Sequence, residues 1–208
     1  MIKVSCIGDS IRMQYAPVVR DMLGEGFVVY EPAENCRFAK YTLRGLFDWA
    51  PDMNGSSIVH WNNGLWDVCD LFGDGAFSSE EEYISNMLRI ADLLLARYEV
   101  VIFATTTPVS PKNIYNKNEM IIQYNEKLVP LLKERGIVIN DLHSVVYRDI
   151  DRYISDDNIH LSEEGIRLCA DAVTKVILDA ASRLKHTPAA SCEGAEIVEG
   201  AGAPVLFA

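Results

Sequence analysis

The chain has 208 residues, 49% of them hydrophobic, and a formal net charge of −11. That length suits one α/β domain with a sizeable core, and no segment approaches the roughly 18 continuous apolar residues of a membrane span. The acidic balance repels phosphate backbones and anionic bilayers, so neither nucleic acid nor membrane is an expected partner. Five cysteines (Cys6, Cys36, Cys69, Cys169 and Cys192) are scattered and form no Cys-x-x-Cys pair. They read as reduced thiols, not as a disulfide framework or zinc site, and neither metal nor cofactor is expected. The first residues read as a strand and not as a secretion signal, which gives a cytoplasmic expectation.

Strands and helices alternate along the chain. Ile2 to Ile7 is a β-rich apolar run that ends at Gly8-Asp9-Ser10. Tyr15, Val18, Val19, Met22 and Leu23 follow at helical spacing, until Gly24 and Gly26 stop the helix. Phe27 to Tyr30 and Ser57 to Trp61 read as the second and third strands. Glu80 to Arg97 carries a helical period through Tyr83, Met87, Ile90, Leu94 and Leu95. Val100 to Ala104 is the fourth strand, Asn118 to Arg135 a helix closed by Gly136, and Ile137 to Ile139 the fifth strand. Ser162 is placed to cap a last long helix, with Glu163 and Glu164 in the first turn, where the helix dipole favours acids.

Apolar strands alternating with helices predict parallel βαβ units with right-handed crossovers. The expected fold is a three-layer α/β/α sandwich, flavodoxin-like, with about five parallel strands. The domain is expected over 1–186. From there the composition turns to Ala, Gly, Glu and Pro, which predicts a flexible tail over 187–208.

Active sites in such sheets lie at the carboxyl ends of the strands. Ser10 stands there, at the end of the first strand and the start of a helix, where a hydroxyl nucleophile and a backbone oxyanion donor can coincide. The competing reading is a plain turn with Ser10 as cap, and these three residues alone do not separate the two. A serine hydroxyl needs a base, and the base needs an orienting group. Asp157-Asn158-Ile159-His160 supplies both, since an Asp three residues before a His in a turn can reach its Nδ1. Asp156 is given a structural or solvent role. Asn62 and Asn63, with Gly64, follow the third strand, where an Asn side chain can donate to an oxyanion or simply cap a turn. Trp66 is a candidate pocket wall. Asp9 is expected to fix the turn.

These blocks, in this order and separation, resemble the SGNH (GDSL-like) hydrolase superfamily over roughly Ile2 to Leu184. Asn62-Asn63-Gly64-Leu65-Trp66-Asp67 is similar to a variant third block in some members. The resemblance implies hydrolysis of esters through an acyl-serine, with Ser10, Asp157 and His160 catalytic and no metal. It also implies a second-block N–H in the oxyanion hole. Where the family usually has Gly, this chain has Glu34-Asn35-Cys36-Arg37-Phe38-Ala39, so Cys36 or Arg37 is expected to donate. Asn62 is the expected side-chain donor and Asn63 the fallback.

The expected substrate is an acetyl or other short acyl ester of a small or sugar-type molecule, turned over by a monomer or a homodimer. Arg37 and the Thr105-Thr106-Thr107-Pro108 edge are candidates for lining its pocket. A receiver or flavodoxin-type module fits less well. Asn62 stands where a receiver needs an acid, and Ile11 to Tyr15 makes no phosphate nest. A hydrolase fold that only binds carbohydrate is the alternative that remains.

Overall fold

The computed structural model describes residues 1–184. The expected boundary at 186, the tail 187–208 and Cys192 lie outside the described residues. Five parallel strands form one sheet: β1 (Ile2–Ile7), β2 (Phe27–Tyr30), β3 (Ile58–Trp61), β4 (Val100–Ala104) and β5 (Val138–Asn140). Their spatial order is β2-β1-β3-β4-β5. Val4 faces Val29 on one side and Ile58 on the other, so β1 is paired along both edges. The connectivity reverses between β1 and β3, and this switch point opens a crevice at the strand ends.

Helices cover both faces. On one side α1 (Ser10–Leu23) packs on α7 (Glu163–Arg183), with α5 (Leu142–Tyr147) and α6 (Ile150–Tyr153) against α7. On the other, α2 (Ala39–Met53), α3 (Glu80–Leu95) and α4 (Asn118–Glu134) pack in sequence. This is the three-layer sandwich expected from the alternation. Val4, Cys6, Ile7, Ile58, Val59, Trp61 and Ile102 are buried on the strands, which is why the strands read as continuous apolar runs. No described helix is long and apolar enough to cross a membrane.

The caps follow local chemistry. The Ser162 hydroxyl accepts from Gly165 N–H at 3.1 Å and starts α7 as expected. Helix α2 and the short helices α5 and α6 are absent from the sequence reading; in α2, Gly45 and Pro51 interrupt the pattern, yet the helix buries Thr42, Leu46, Trp49 and Met53. Gly45 is needed there because a methyl group would overlap the Trp49 ring.

Candidate active site

Ser10 is the first residue of α1, and Asp9 is its N-cap, accepting from Ile11 N–H at 3.0 Å. The Ser10 N–H therefore lies at the positive end of the helix, among the amides with no intrahelical acceptor. The Ser10 hydroxyl is 2.8 Å from His160 Nε2. His160 Nδ1 is 2.7 Å from Asp157 Oδ2. Ser10, His160 and Asp157 thus form one continuous hydrogen-bonded line. It fixes the tautomer, with Nδ1 carrying the proton and Nε2 free to accept the serine proton.

The turn that carries His160 is held from several directions. Asp157 Oδ1 accepts from the Ile159 and His160 amides at 3.0 and 2.9 Å and from the Ser155 hydroxyl at 2.9 Å. Burial raises the Asp157 pKa, but these bonds and the His160 ring outweigh it and hold the carboxyl well below the ordinary range. Asn158 takes a left-handed conformation, φ 70°, which asparagine tolerates better than most residues. Its carbonyl accepts from Ser110 N–H at 3.1 Å and the Asn113 amide at 3.3 Å, so the loop after β4 braces the turn. Gln14 completes the support. Its Nε2 donates to Leu161 O at 3.1 Å while its Oε1 accepts from Leu161 N–H at 2.9 Å. Asp156 is exposed and stands apart from the imidazole contact.

At the end of β3, the Asn62 Nδ2 donates to Asp9 Oδ1 at 2.8 Å. That leaves its second N–H available. The Asn62 carbonyl oxygen lies so close over Gly8 that a methyl group there would overlap it. Asp9 Oδ2 and Asn62 Oδ1 are buried with no hydrogen-bond partner among the described residues. Burial raises the Asp9 pKa, against the bonds from Asn62 and Ile11.

Asn63 does a different job from the fallback donor role expected of it. Its Nδ2 donates to Arg37 O at 2.8 Å and Thr42 Oγ1 at 2.9 Å, and its Oδ1 accepts from Trp61 Nε1 at 2.7 Å. Both amide protons are occupied, so Asn63 is not available to an oxyanion. Gly64 permits close packing, since a methyl group there would overlap the Thr106 hydroxyl.

The second-block donors need the same correction. Cys36 N–H donates to Gly8 O at 3.0 Å, and Arg37 N–H donates to Asn35 Oδ1 at 2.7 Å. Neither amide is free. Arg37 has φ 51°, a left-handed conformation that costs a non-glycine residue on the order of 1 kcal/mol. The Arg37 guanidinium lies 4.8 Å over the Tyr41 ring. Thr105, Thr106 and Thr107 are buried and do not form an open pocket edge at Ser10. Trp66 is exposed.

Three supporting residues escaped the sequence reading. Arg12 is 1% exposed, and its guanidinium donates to Pro32 O at 3.0 Å, Glu34 O at 2.7 Å and Gly8 O at 3.3 Å. It ties the loop after β2 to α1. Its signal was a cation on the buried stripe of an amphipathic helix, next to Ile11 and Tyr15. Gln14 and Asp67 gave no local signal, because their partners are distant in sequence. A cavity of about 820 Å³ lies elsewhere, between α4, β5 and α5, and contains none of Ser10, Asp157 or His160. Among the described residues, no group of three His, Cys, Asp or Glu is arranged to hold a metal.

The fold and this constellation define a class, and comparison with known proteins agrees. No family model matches the chain. It is 30% identical over 176 residues to the GDSL esterase/lipase WDL1 of Oryza sativa subsp. japonica, an alignment covering 77% of this chain and 66% of that protein. The chain thus spans just under two thirds of that relative's length. Among solved structures it is similar to an acetyl xylan esterase, AlAXEase, with TM-score 0.72 and 18% identity over 85% of this chain and all (100%) of that one. It is also similar to a lipase/acylhydrolase from Enterococcus faecalis, with TM-score 0.72 and 16% identity over 86% and 97% of the two chains. The chain belongs to the SGNH hydrolase superfamily, and its relatives are GDSL esterases and lipases.

Proposed function

We propose that the chain is a serine-dependent carboxylic ester hydrolase with Ser10 as nucleophile, His160 as general base and acid, and Asp157 as its orienting carboxylate. The observation that carries this reading is the unbroken line Ser10 Oγ–His160 Nε2–Asp157, with contacts of 2.8 and 2.7 Å. Ser10 Oγ attacks the ester carbonyl as His160 takes its proton, and the Asp157 carboxylate stabilises the imidazolium. The Ser10 N–H and the second Asn62 amide proton hold the oxyanion. His160 then protonates the leaving alcohol, and the acyl-serine is hydrolysed by water that His160 activates. The acyl group is acetyl or another short chain, and the alcohol is a small or sugar-type molecule. The acetyl xylan esterase among the structural neighbours supports that choice.

A second reading, carbohydrate binding without turnover, draws on one observation: the amides of Cys36 and Arg37 are already bonded. One experiment separates the two. Hydrolysis of p-nitrophenyl acetate, butyrate and octanoate is measured for wild type, Ser10→Ala and His160→Ala. Saturable turnover that favours acetate and is lost in both variants is expected. Wild-type turnover no higher than that of Ser10→Ala, with sugar binding intact, would replace the hydrolase by the binder.

A further inference from the structure

The Asp67 side chain is fully buried, five positions beyond Asn62, and its carboxylate meets the start of helix α2. Phe38, the N-cap of α2, supplies no side-chain cap. Asp67 does so from another loop: its Oδ2 and Oδ1 accept from Ala39 N–H at 3.0 and 3.2 Å. The Ser78 hydroxyl donates to the same carboxylate at 2.8 Å, and Ser78 N–H donates to Asp67 O at 2.9 Å. One carboxylate therefore joins the start of α2 to both ends of the loop between β3 and α3.

The capped segment reaches the nucleophile turn. Cys36 N–H and the Cys36 sulfur both bond Gly8, two residues before Ser10. Cys36 O accepts from Thr42 Oγ1 at 2.8 Å, and Arg37 O accepts from Asn63. Residues 36–39 are thus held between Gly8 on one side and Asn63 and Asp67 on the other, with Arg37 in its left-handed conformation at the middle. Asp67 contributes the negative charge to this clasp, at the helix end where a negative charge is favoured, while the Arg12 guanidinium donates to Gly8 O on the other side.

We propose that Asp67 is a positioning residue: as a trans-acting cap on α2 it sets segment 36–39 against the Gly8-Asp9-Ser10 turn. The effect on turnover rests on the hydrolase reading; the effect on the segment does not. Burial raises the Asp67 pKa to about 7, while the Ser78 hydroxyl and Ala39 N–H oppose that rise. Asp9 and Glu82 face it as like charges, Glu82 being paired with Lys40, and the Tyr83 and Tyr124 phenols stand nearby on α3 and α4.

Three proteins test this: wild type, Asp67→Asn and Ser78→Ala. Asp67→Asn is expected to lower kcat for p-nitrophenyl acetate roughly 10- to 100-fold, with KM changed less than about twofold. Amide hydrogen exchange at Ala39 and Cys36 should accelerate in the same variant. Ser78→Ala, which removes one of the bonds that hold the Asp67 carboxylate, should lower kcat in the same direction by a smaller factor, with KM again little changed. Unchanged exchange at Ala39 in Asp67→Asn, or a loss that falls on KM and not on kcat, would overturn the proposal. If Asp67→Asn does not fold, kcat and the exchange at Ala39 in Ser78→Ala decide. Accelerated exchange alongside wild-type turnover that is independent of Ser10 would sustain the positioning of the segment and sink the hydrolase reading instead.

Discussion

Cys36 and Gly8 bond each other twice: the Cys36 N–H donates to Gly8 O at 3.0 Å, and the Gly8 N–H donates to the Cys36 sulfur at 3.3 Å. The side chain that stands near the family's usual glycine position is thus an acceptor for the backbone of the nucleophile turn. Cys36→Ala would leave a buried N–H without a partner, at a cost of about 1–3 kcal/mol. Thermal unfolding is expected about 2–10 °C lower, and Cys36→Ser should recover most of it. Equal melting temperatures for Cys36→Ala and wild type would show that the sulfur contact carries no energy.

The same thiol should be inert. Burial pushes its pKa up to about 11, so little thiolate exists near neutrality. Native protein treated with iodoacetamide at pH 7.5 is expected to keep Cys36 unmodified and the proposed ester turnover intact, as mass spectrometry and kinetics together will report. Rapid stoichiometric alkylation at Cys36 would contradict this.

Asn62 and Asn63 are neighbours with separable roles. Asn62→Ala is expected to lower kcat on the order of 100-fold, the usual effect of losing one oxyanion donor, with a smaller loss of stability. Asn63→Ala removes the partner of the Trp61 indole and two bonds to α2 and its approach. Its main effect should be on folding, by about 2 kcal/mol or more. Kinetics and denaturant titration on both variants check the assignment, and an exchange of the two phenotypes would reverse it.

Two buried groups give stability opposite pH slopes. Burial lowers the His60 pKa to about 3, against roughly 6.5 in an unfolded chain. Its contribution is complete above pH 6.5 and is lost as pH falls toward 3, because the unfolded chain takes up the proton first. Asp67 runs the other way. Its folded value near 7 lies above the unfolded value of about 3.9, so its contribution is complete below 3.9 and is lost as pH rises through 7. Asp67→Asn should therefore gain more stability relative to wild type at pH 8 than at pH 4. A constant difference across that range would show that the carboxyl does not titrate as described. At alkaline pH, then, Asp67 costs stability in the position where it is proposed to serve turnover, a trade-off common at functional sites.

What the sequence revealed and what it concealed have one physical cause. Strands buried on both faces are continuous apolar runs, so β1 through β5 stood out from local pattern alone. Asp157 and His160 are three positions apart in one turn, and a reader of short spacings finds them. Ser10 stood out by its place after a strand. Helix α2 was hidden because Gly45 and Pro51 are breakers in isolation, and only the fold shows that the Trp49 ring packs over Gly45. Arg12, Gln14 and Asp67 were hidden because their partners lie 20–22, 147 and 28 positions away, and no local rule links such positions. The donor roles assigned to Cys36 and Arg37 failed for the same reason: any residue offers an N–H, but only the fold decides whether it is already bonded.

The Gln14–Leu161 clasp and the Ser10–His160 contact join positions 147 and 150 residues apart. A ribosome making this chain releases the nucleophile early and the histidine late, and α7, on which α1 packs, last of the described elements. Every nascent intermediate before that point lacks a base for Ser10. On the hydrolase reading the chain is therefore silent until His160 is in place, and a fragment ending before His160 would be silent however well its sheet had folded.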